Sequence, residues 1–570
     1  MTLGPFDNEE VLFARKQLRV VCVGAGMSGL YLAHKLQVEH QATTDYEGGW
    51  VDFQIYEKNP KVGGTWYENT YPGVACDVPA HVFAFSFETN PEYTQYFADG
   101  AEIQAYVERT TKKYELDRHV QLNSRVVESV WDDDKSVWNI KIEKSDGTVF
   151  SDCCDILING SGILNKWKFP DVKGLHEFKG PLLHSANWDH SVDLENKTML
   201  LIGNGSSAIQ ILPEIQKKAK HVYNVIRNAT WIQPRSGIDL RDENRKYTPE
   251  EIEFYRNHPE EIEKFQKTVL DDFDHFTYCM LRMGPGQKDI QEEYTQVMKE
   301  RLHNKPELID KFVPKYNTGC RRLTPGFGYL EALQKPNVEP LFTSIKEVNS
   351  TGVVVSDPEN GERQLDVDVL ICATGFDVSF NPYWPIYGTR GISLAEQWKE
   401  VPKAYLSVTA SNMPNYFIYN GPNFPASHGS VPLALSIETE HFYKWLDKMS
   451  KERIRTIMPK DEIVQQSWEF FQYRLQQSVF ASNCTSWYKK SEDQGGIITA
   501  MYPGTMKHFE KLLENIRPED YNISYDHPQN IFYFFGSGRT ADETAVPNPY
   551  MHEKEPPVTA IANGAAKAHS

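Results

Sequence analysis

The sequence predicts an α/β protein made of two Rossmann-like dinucleotide-binding domains, the second carrying a helical insertion. Three observations predict it. VGAGMSG at 23–29 and IGNGSSA at 202–208 each follow an apolar strand and open a helix. After the second loop the chain turns charged and helical up to about residue 313. At 570 residues there is enough chain for two or three packed cores.

RVVCVGAGMSGLYLAHKL reads as strand, glycine turn and helix, and FQIYEK at 53–58 supplies the next strand of a βαβ unit. Gly24 permits the tight turn, Gly26 lets the backbone approach a pyrophosphate, and Gly29 allows close packing of helix on strand. Glu57 closes the second strand, placed to accept hydrogen bonds from ribose hydroxyls. The interval from Gly29 to Glu57 exceeds the usual spacing of about 20 residues. QATTDYEGGW, within it, reads as a surface loop.

The plan recurs in TMLLIGNGSSAIQILPEIQKKAKHVYNVIRN, with Gly203, Gly205 and Ala208 at the glycine-loop positions and Ser206 and Ser207 opening the helix. Its second strand leads to Arg227, where an NAD site favours an acid. An arginine there pairs with a 2′-phosphate, which favours NADPH; a solvated arginine at a strand end is the alternative.

TPEEIEFY carries a helix start, with Thr248 as N-cap, Pro249 at the first helical position and Glu251 three residues beyond the cap. Ile262, Phe265, Val269 and Phe273 then recur on one face. VEPLFTSIKEV, TGVVVSD and LDVDVLICATGFD read as strands. The predicted order is the first part of one dinucleotide-binding domain at 1–160, the first part of a second at 161–237, the insertion at 238–313, the rest of the second domain at 314–367, the rest of the first domain at 368–538, and an extended or disordered tail at 539–570.

A formal charge of −18 argues against general binding to nucleic acid or an anionic membrane, and the longest apolar runs fall short of a membrane span. The eight cysteines form no C-x-x-C pair and MTLGPFDNEEVLF lacks the pattern of an export signal, so a reducing, cytoplasmic setting is expected, with no metal site. The sequence leaves the oligomeric state open.

Two dinucleotide loops alone do not choose among flavin reductases, N-oxidisers and ketone oxygenases. FKGPLLHSANWD at 178–189 does more, because Phe178, Gly180, His184, Trp188 and Asp189 match F-x-G-x3-H-x3-W-[P/D] just ahead of the second glycine loop. The pattern resembles the fingerprint of Baeyer-Villiger monooxygenases, the class B flavoprotein monooxygenases that use FAD and NADPH. The resemblance extends over residues 19–510. KVGGTWYENTYPGVACDV looks like the flavin-contacting segment, PKYNTGCRRLTP like the active-site arginine segment, ATGFD at 373–377 like the strand returning to the flavin domain, and TSWYKK at 485–490 like the loop that covers the nicotinamide.

The resemblance implies that reduced FAD reacts with O2 to a C4a-peroxide, which attacks a ketone substrate to give an ester or lactone. It implies that Arg322 stabilises the anionic oxygens and that Asp77 holds and tunes Arg322. It places Gly64, Thr65, Trp66, Phe83 and Val126 beside FAD, Arg321 at a phosphate, and Trp487 against NADP; for Trp66 and Trp487 a plain packing role is the alternative. Phe83 stands where some relatives carry Tyr. His184 is expected at the junction of the two domains, as a coupling or structural residue and not as a general base. GPNFPASHGSVPLALSIE, with Phe424, His428 and Pro432, resembles a segment bordering the substrate pocket. An N- or S-oxidising flavin monooxygenase, a disulfide reductase and a non-catalytic NADPH-sensing flavoprotein are the competing readings. Adjacent Cys153 and Cys154 in a strand context do not make the reactive pair that a disulfide reductase needs.

Overall fold

A computed structural model of the chain describes residues 8–233, 244–281, 285–303, 305–357, 361–490 and 496–544. The first unit begins with β1 (Leu18–Val23), buried at all but one position, which passes through the glycine loop into α1 (Met27–Ala33). β2 (Val51–Tyr56) runs parallel to β1 with Leu18 opposite Val51. The loop between them is anchored by Ala42 and Trp50, both buried, while Thr44, Asp45, Glu47 and Gly48 face solvent. Two helices follow, α2 (Thr65–Glu68) and α3 (Gly100–Tyr114), the latter capped by Asp99 accepting from the Glu102 amide. β3 (Val120–Gln121) then joins the edge of β2.

An antiparallel meander, β4 (Ser124–Asp132), β5 (Val137–Lys144) and β6 (Val149–Cys154), packs beside this sheet. In β5 the alternation of VWNIKIEK buries Trp138, Ile140 and Ile142 and exposes Asn139, Lys141 and Glu143, the signature of a sheet with one wet face. β7 (Ile156–Asn159) returns to pair in parallel with β1, and the chain then crosses into the second unit.

There, β8 (Leu182–His184) forms an edge strand, β9 (Thr198–Ile202) leads into α4 (Ser206–Gln216), and β10 (His221–Val225) lies parallel to β9. The insertion consists of α5 (Pro249–Asn257), α6 (Pro259–Leu281) and α7 (Pro285–Arg301). The helix start at Thr248 is a capping box: Thr248 Oγ1 accepts from the Glu251 amide at 3.2 Å, and the Thr248 amide donates to Glu251 Oε2 at 2.9 Å. Val269 of α6, with Phe265, Leu270 and Phe273, packs on Val78, Val82 and Phe83 of the first unit. Tyr294 and Met298 of α7 join the core of the second unit, so the insertion bridges both cores. Its expected first residues, 238–243, lie outside the described residues.

β11 (Val338–Leu341) pairs with β10, and β12 (Ile345–Val348), β13 (Gly352–Asp357) and β14 (Gly361–Asp366) make a small antiparallel sheet. β15 (Val369–Cys372) inserts between β9 and β8, giving the parallel order β11-β10-β9-β15-β8. This corrects the expected boundary at 368: the chain is still in the second sheet at Cys372 and crosses back only afterwards. The pairing of β15 with strands 170 and 188 residues earlier leaves no local mark in the sequence. β16 (Ile386–Tyr387) joins β4, and β17 (Tyr416–Ile418) completes the first sheet as β17-β7-β1-β2-β3. The helix Val431–Lys451 covers α1. The expected loose tail is anchored at its start, where the Leu12 amide donates to the Arg539 carbonyl; residues 545–570 lie outside the described residues. Among the described residues no helix is long and apolar enough to cross a membrane.

Candidate active site

The two glycine loops open onto two cavities, one of 580 Å³ and one of 1120 Å³. At the first loop, Gly24 has φ +106°, and a Cβ there would stand 2.7 Å from the Gly160 carbonyl oxygen. A Cβ on Gly29 would stand 2.2 Å from the Gly24 carbonyl oxygen, so only glycine lets α1 approach β1. Gly26 and Gly64 face one another across the cavity floor. Glu57 is buried, with Oε2 accepting from the Ala25 amide at 2.7 Å and Oε1 from the Asn59 amide at 2.8 Å. Burial raises its pKa above the ordinary carboxylate value, against the pull of these two amides. Thr65, Trp66, Phe83 and Val126 line the same cavity, with Trp66 and Phe83 edge to face at 5.2 Å. Asn420 also lines it, and its buried Oδ1 has no protein partner.

The second loop differs in one useful way. A Cβ on Gly205 would meet nothing within 4 Å, so the missing side chain leaves open space beside the N-terminus of α4. Gly203, Ser206, Ser207, Arg227 and Arg321 line this second cavity, with Arg227 exposed and Arg321 donating to the Ala229 carbonyl at 3.2 Å. Both cradles fit dinucleotides: a glycine floor at a helix N-terminus, an acid in the first and an arginine in the second.

Arg322 lines both cavities, as do Ser206, Ser207 and Trp487. Its guanidinium is held from two sides. Nε and Nη2 donate to Asp77 Oδ2 and Oδ1 at 2.7 and 2.5 Å, a bidentate pair, while Nη1 donates to the Ala426 carbonyl at 3.0 Å and to Ser427 Oγ at 3.2 Å. Burial disfavours the charge, but Asp77 outweighs it and raises the arginine pKa further above its ordinary value. The Tyr488 hydroxyl in turn hydrogen-bonds Ser427, and burial raises its pKa despite the nearby Arg322. Ser427 and Tyr488 were not singled out in the sequence, although both lie inside segments that were.

The fingerprint residues line neither cavity. Phe178 sits in the core beneath β12–β14, and Gly180 lies so close to the Asp368 carbonyl that a Cβ would stand 2.4 Å from it. Trp188 packs on the second core, and Asp189 is exposed, capping Ser191. His184 is 1% exposed at the end of β8, stacked on Trp167 at 4.6 Å. Its Nδ1 accepts from the Ala186 amide at 3.1 Å, so the proton is on Nε2, which donates to Thr374 Oγ1 at 3.2 Å. Burial lowers its pKa to about 4, which keeps it neutral. His184 thus touches both crossings between the units, at Trp167 outbound and at Thr374 on the return. Of the residues in the pocket-bordering segment, Phe424 lines the first cavity, whereas His428 is turned into the core with Nε2 on the Tyr502 carbonyl, and Pro432 lines neither cavity.

The profile of the flavin-binding monooxygenase-like family matches residues 16–264. An FAD-binding monooxygenase of Aspergillus terreus, tazF, is 42% identical over 536 residues, covering 93% of each chain. A Baeyer-Villiger monooxygenase of Streptomyces coelicolor is 30% identical over 92% of this chain and 96% of its own. This chain belongs to the flavin-dependent Baeyer-Villiger monooxygenase family. This monooxygenase shares its fold with cyclohexanone monooxygenase from Rhodococcus sp. Phi1 bound to NADP+, with a TM-score of 0.75 at 23% identity over 90% of this chain and all of the other. As a member of this flavin-binding family it binds FAD.

Proposed function

We propose that this monooxygenase inserts one oxygen atom of O2 beside a ketone carbonyl, giving an ester or lactone, with NADPH as reductant. The observation that carries this reading is Arg322, locked by Asp77 at the opening common to both cavities. Reduced FAD supplies the activation of O2. The chain's own part is to bring a permanent cation to the place where oxygen becomes anionic, and to keep water away from it. Phe83, Phe424, Val431 and Leu435 line the first cavity with Arg322, so the charge acts in poorly solvated surroundings where it counts for more than in water. Asp77 takes Nε and Nη2 of the guanidinium, and Nη1 is held by a carbonyl and a hydroxyl, so the arginine keeps one pose and cannot give up a proton.

Of the residues lining the second cavity, Arg227 would hold the 2′-phosphate of NADPH and Arg321 a second phosphate, and Trp487, on the walls of both cavities, would cover the nicotinamide. His184, Trp167 and Thr374 set the angle between the two units, and the fingerprint acts through that geometry and not by contact with a reactant. The similarity to the Baeyer-Villiger monooxygenase of Streptomyces coelicolor supports the same chemistry. The test is product analysis by mass spectrometry after the holoenzyme is incubated with NADPH, air and a panel of ketones, a thioether and a tertiary amine. Esters or lactones one oxygen heavier than their ketones are expected; N- or S-oxides alone would replace this reading with the electrophilic one.

A further inference from the structure

Cys320 immediately precedes Arg321 and Arg322, and Cys484 precedes Trp487 by three residues. The two are 164 residues apart in sequence, yet their Cα atoms are 6.4 Å apart and their sulfurs are bonded. The sequence pointed to unpaired thiols in a reducing setting; proximity created only by the fold pairs two of them. We infer that Cys320 and Cys484 form a thiol–disulfide modification site, taking small disulfides and dithiols as reagents, which ties the nicotinamide loop to the arginine segment. This rests on the reading of Trp487 as part of the loop that covers the nicotinamide.

The placement gives the bond mechanical meaning. Residues 482–488 contain no helix or strand, so no regular ladder of backbone hydrogen bonds holds this loop. Its other anchors include Asn317 Nδ2 donating to Ser482 Oγ at 2.8 Å, Lys489 Nζ donating to the Ser482 carbonyl, the Thr499 and Ala500 amides donating to the Tyr488 carbonyl, and the hydrogen bond from Tyr488 to Ser427, which also contacts Arg322. A covalent tie at Cys484 removes open conformations of a loop whose remaining ties are hydrogen bonds and the packing of Trp487 and Tyr488 on the core. Formation proceeds by exchange: one cysteine thiolate attacks a small disulfide and expels one thiol, and the second attacks the mixed disulfide and expels the other. Two cysteine protons are released or carried by the departing thiols, and two electrons pass to the small disulfide. A dithiol reverses every step. Cys320 is fully buried and Cys484 is 5% exposed, so reagents reach the sulfurs only when the loop lifts. Linkage then requires reciprocity: if the disulfide favours the closed loop over NADP+, NADP+ must stabilise the disulfide against reduction by the same factor.

The test uses the FAD-loaded full chain, oxidised with glutathione disulfide or reduced with dithiothreitol. The reduced chain presents eight thiols and the oxidised one six, with a Cys320–Cys484 cross-linked peptide in the digest. The oxidised form is expected to release NADP+ about tenfold more slowly, or ~1.4 kcal/mol, in stopped-flow displacement. Saturating NADP+ should shift the glutathione ratio at half-reduction by a similar factor. Cys320→Ser and Cys484→Ser should release NADP+ at the fast rate whatever the oxidant; if neither folds, chemical reduction of the unaltered chain makes the same comparison. Absence of the cross-linked peptide, or equal release rates in the two redox states, overturns the inference. Trp487→Ala separates the two claims. If it speeds NADP+ release while redox state does not, the disulfide inference fails alone; if it leaves release unchanged, the loop reading fails and takes this inference with it.

Discussion

Asp77 decides how Arg322 is presented, because a carboxylate binding both Nε and Nη2 fixes the plane of the guanidinium. Asp77→Asn keeps the shape but removes the charge and one good acceptor. Ester formation should fall on the order of 10²-fold while NADPH still reduces the flavin, as measured by product yield and by bleaching of the flavin absorbance. At the other cavity, Arg227→Ala should weaken NADPH by roughly 10- to 100-fold, the worth of a hydrogen bond between charged groups, and leave NADH nearly unchanged. Equal losses for the two cofactors in steady-state kinetics would show that Arg227 does not meet the 2′-phosphate. Much of this site was legible in the sequence, since Arg322, Asp77 and Trp487 sit in short segments with a recognisable pattern. Ser427 and Tyr488 were not, because their roles depend on contacts with Arg322 from 105 positions downstream and with each other across 61 positions. His428 was legible as a residue near the pocket but not in its direction, which is set by packing against Tyr502 and Phe480.

Elements carry the site through close packing. At α1 the gap between helix and strand is the width of a glycine, and Gly29→Ala forces a Cβ to within 2.2 Å of a backbone oxygen. The expected cost is ~1–3 kcal/mol, seen as a lower thermal midpoint and a smaller fraction of bound FAD; an unchanged midpoint would contradict the packing account. Helix α6 supports the segment that follows Asp77 by setting Phe265, Val269 and Phe273 against Val78, Val82 and Phe83. Local signals made these elements readable: the strand-glycine-helix pattern, the capping box at Thr248 and the apolar face of α6 all lie within windows of a few turns. β15 shows where such signals stop. VLIC states that a strand is buried, but only its hydrogen bonds to β8 and β9 state in which sheet.

In the whole molecule, buried histidines set the response to acid. His81, His184, His428 and His441 are each at most 2% exposed, and burial lowers each from 6.5 to about 4. They stay neutral in the folded chain and take up protons on unfolding, so the stability they contribute is fully present above pH 6.5 and lost as pH falls toward 4. Such a shift corresponds to ~3 kcal/mol for a single histidine. Glu438, buried with its carboxyl pKa raised by desolvation, works in the opposite direction as pH rises, so the histidines dominate only the acid limb. The thermal midpoint of the holoenzyme should therefore drop steeply between pH 6.5 and 4.5, and a flat profile would mean that these imidazoles are solvated. The same scale holds the main functional claim, that two cofactor cavities meet at one arginine. It is tested most directly by single-turnover kinetics of Arg322→Ala with NADPH, O2 and a ketone that the unaltered enzyme oxygenates. The account predicts that NADPH still reduces the flavin and that ester or lactone formation is lost; ester formation at the unaltered rate would contradict it.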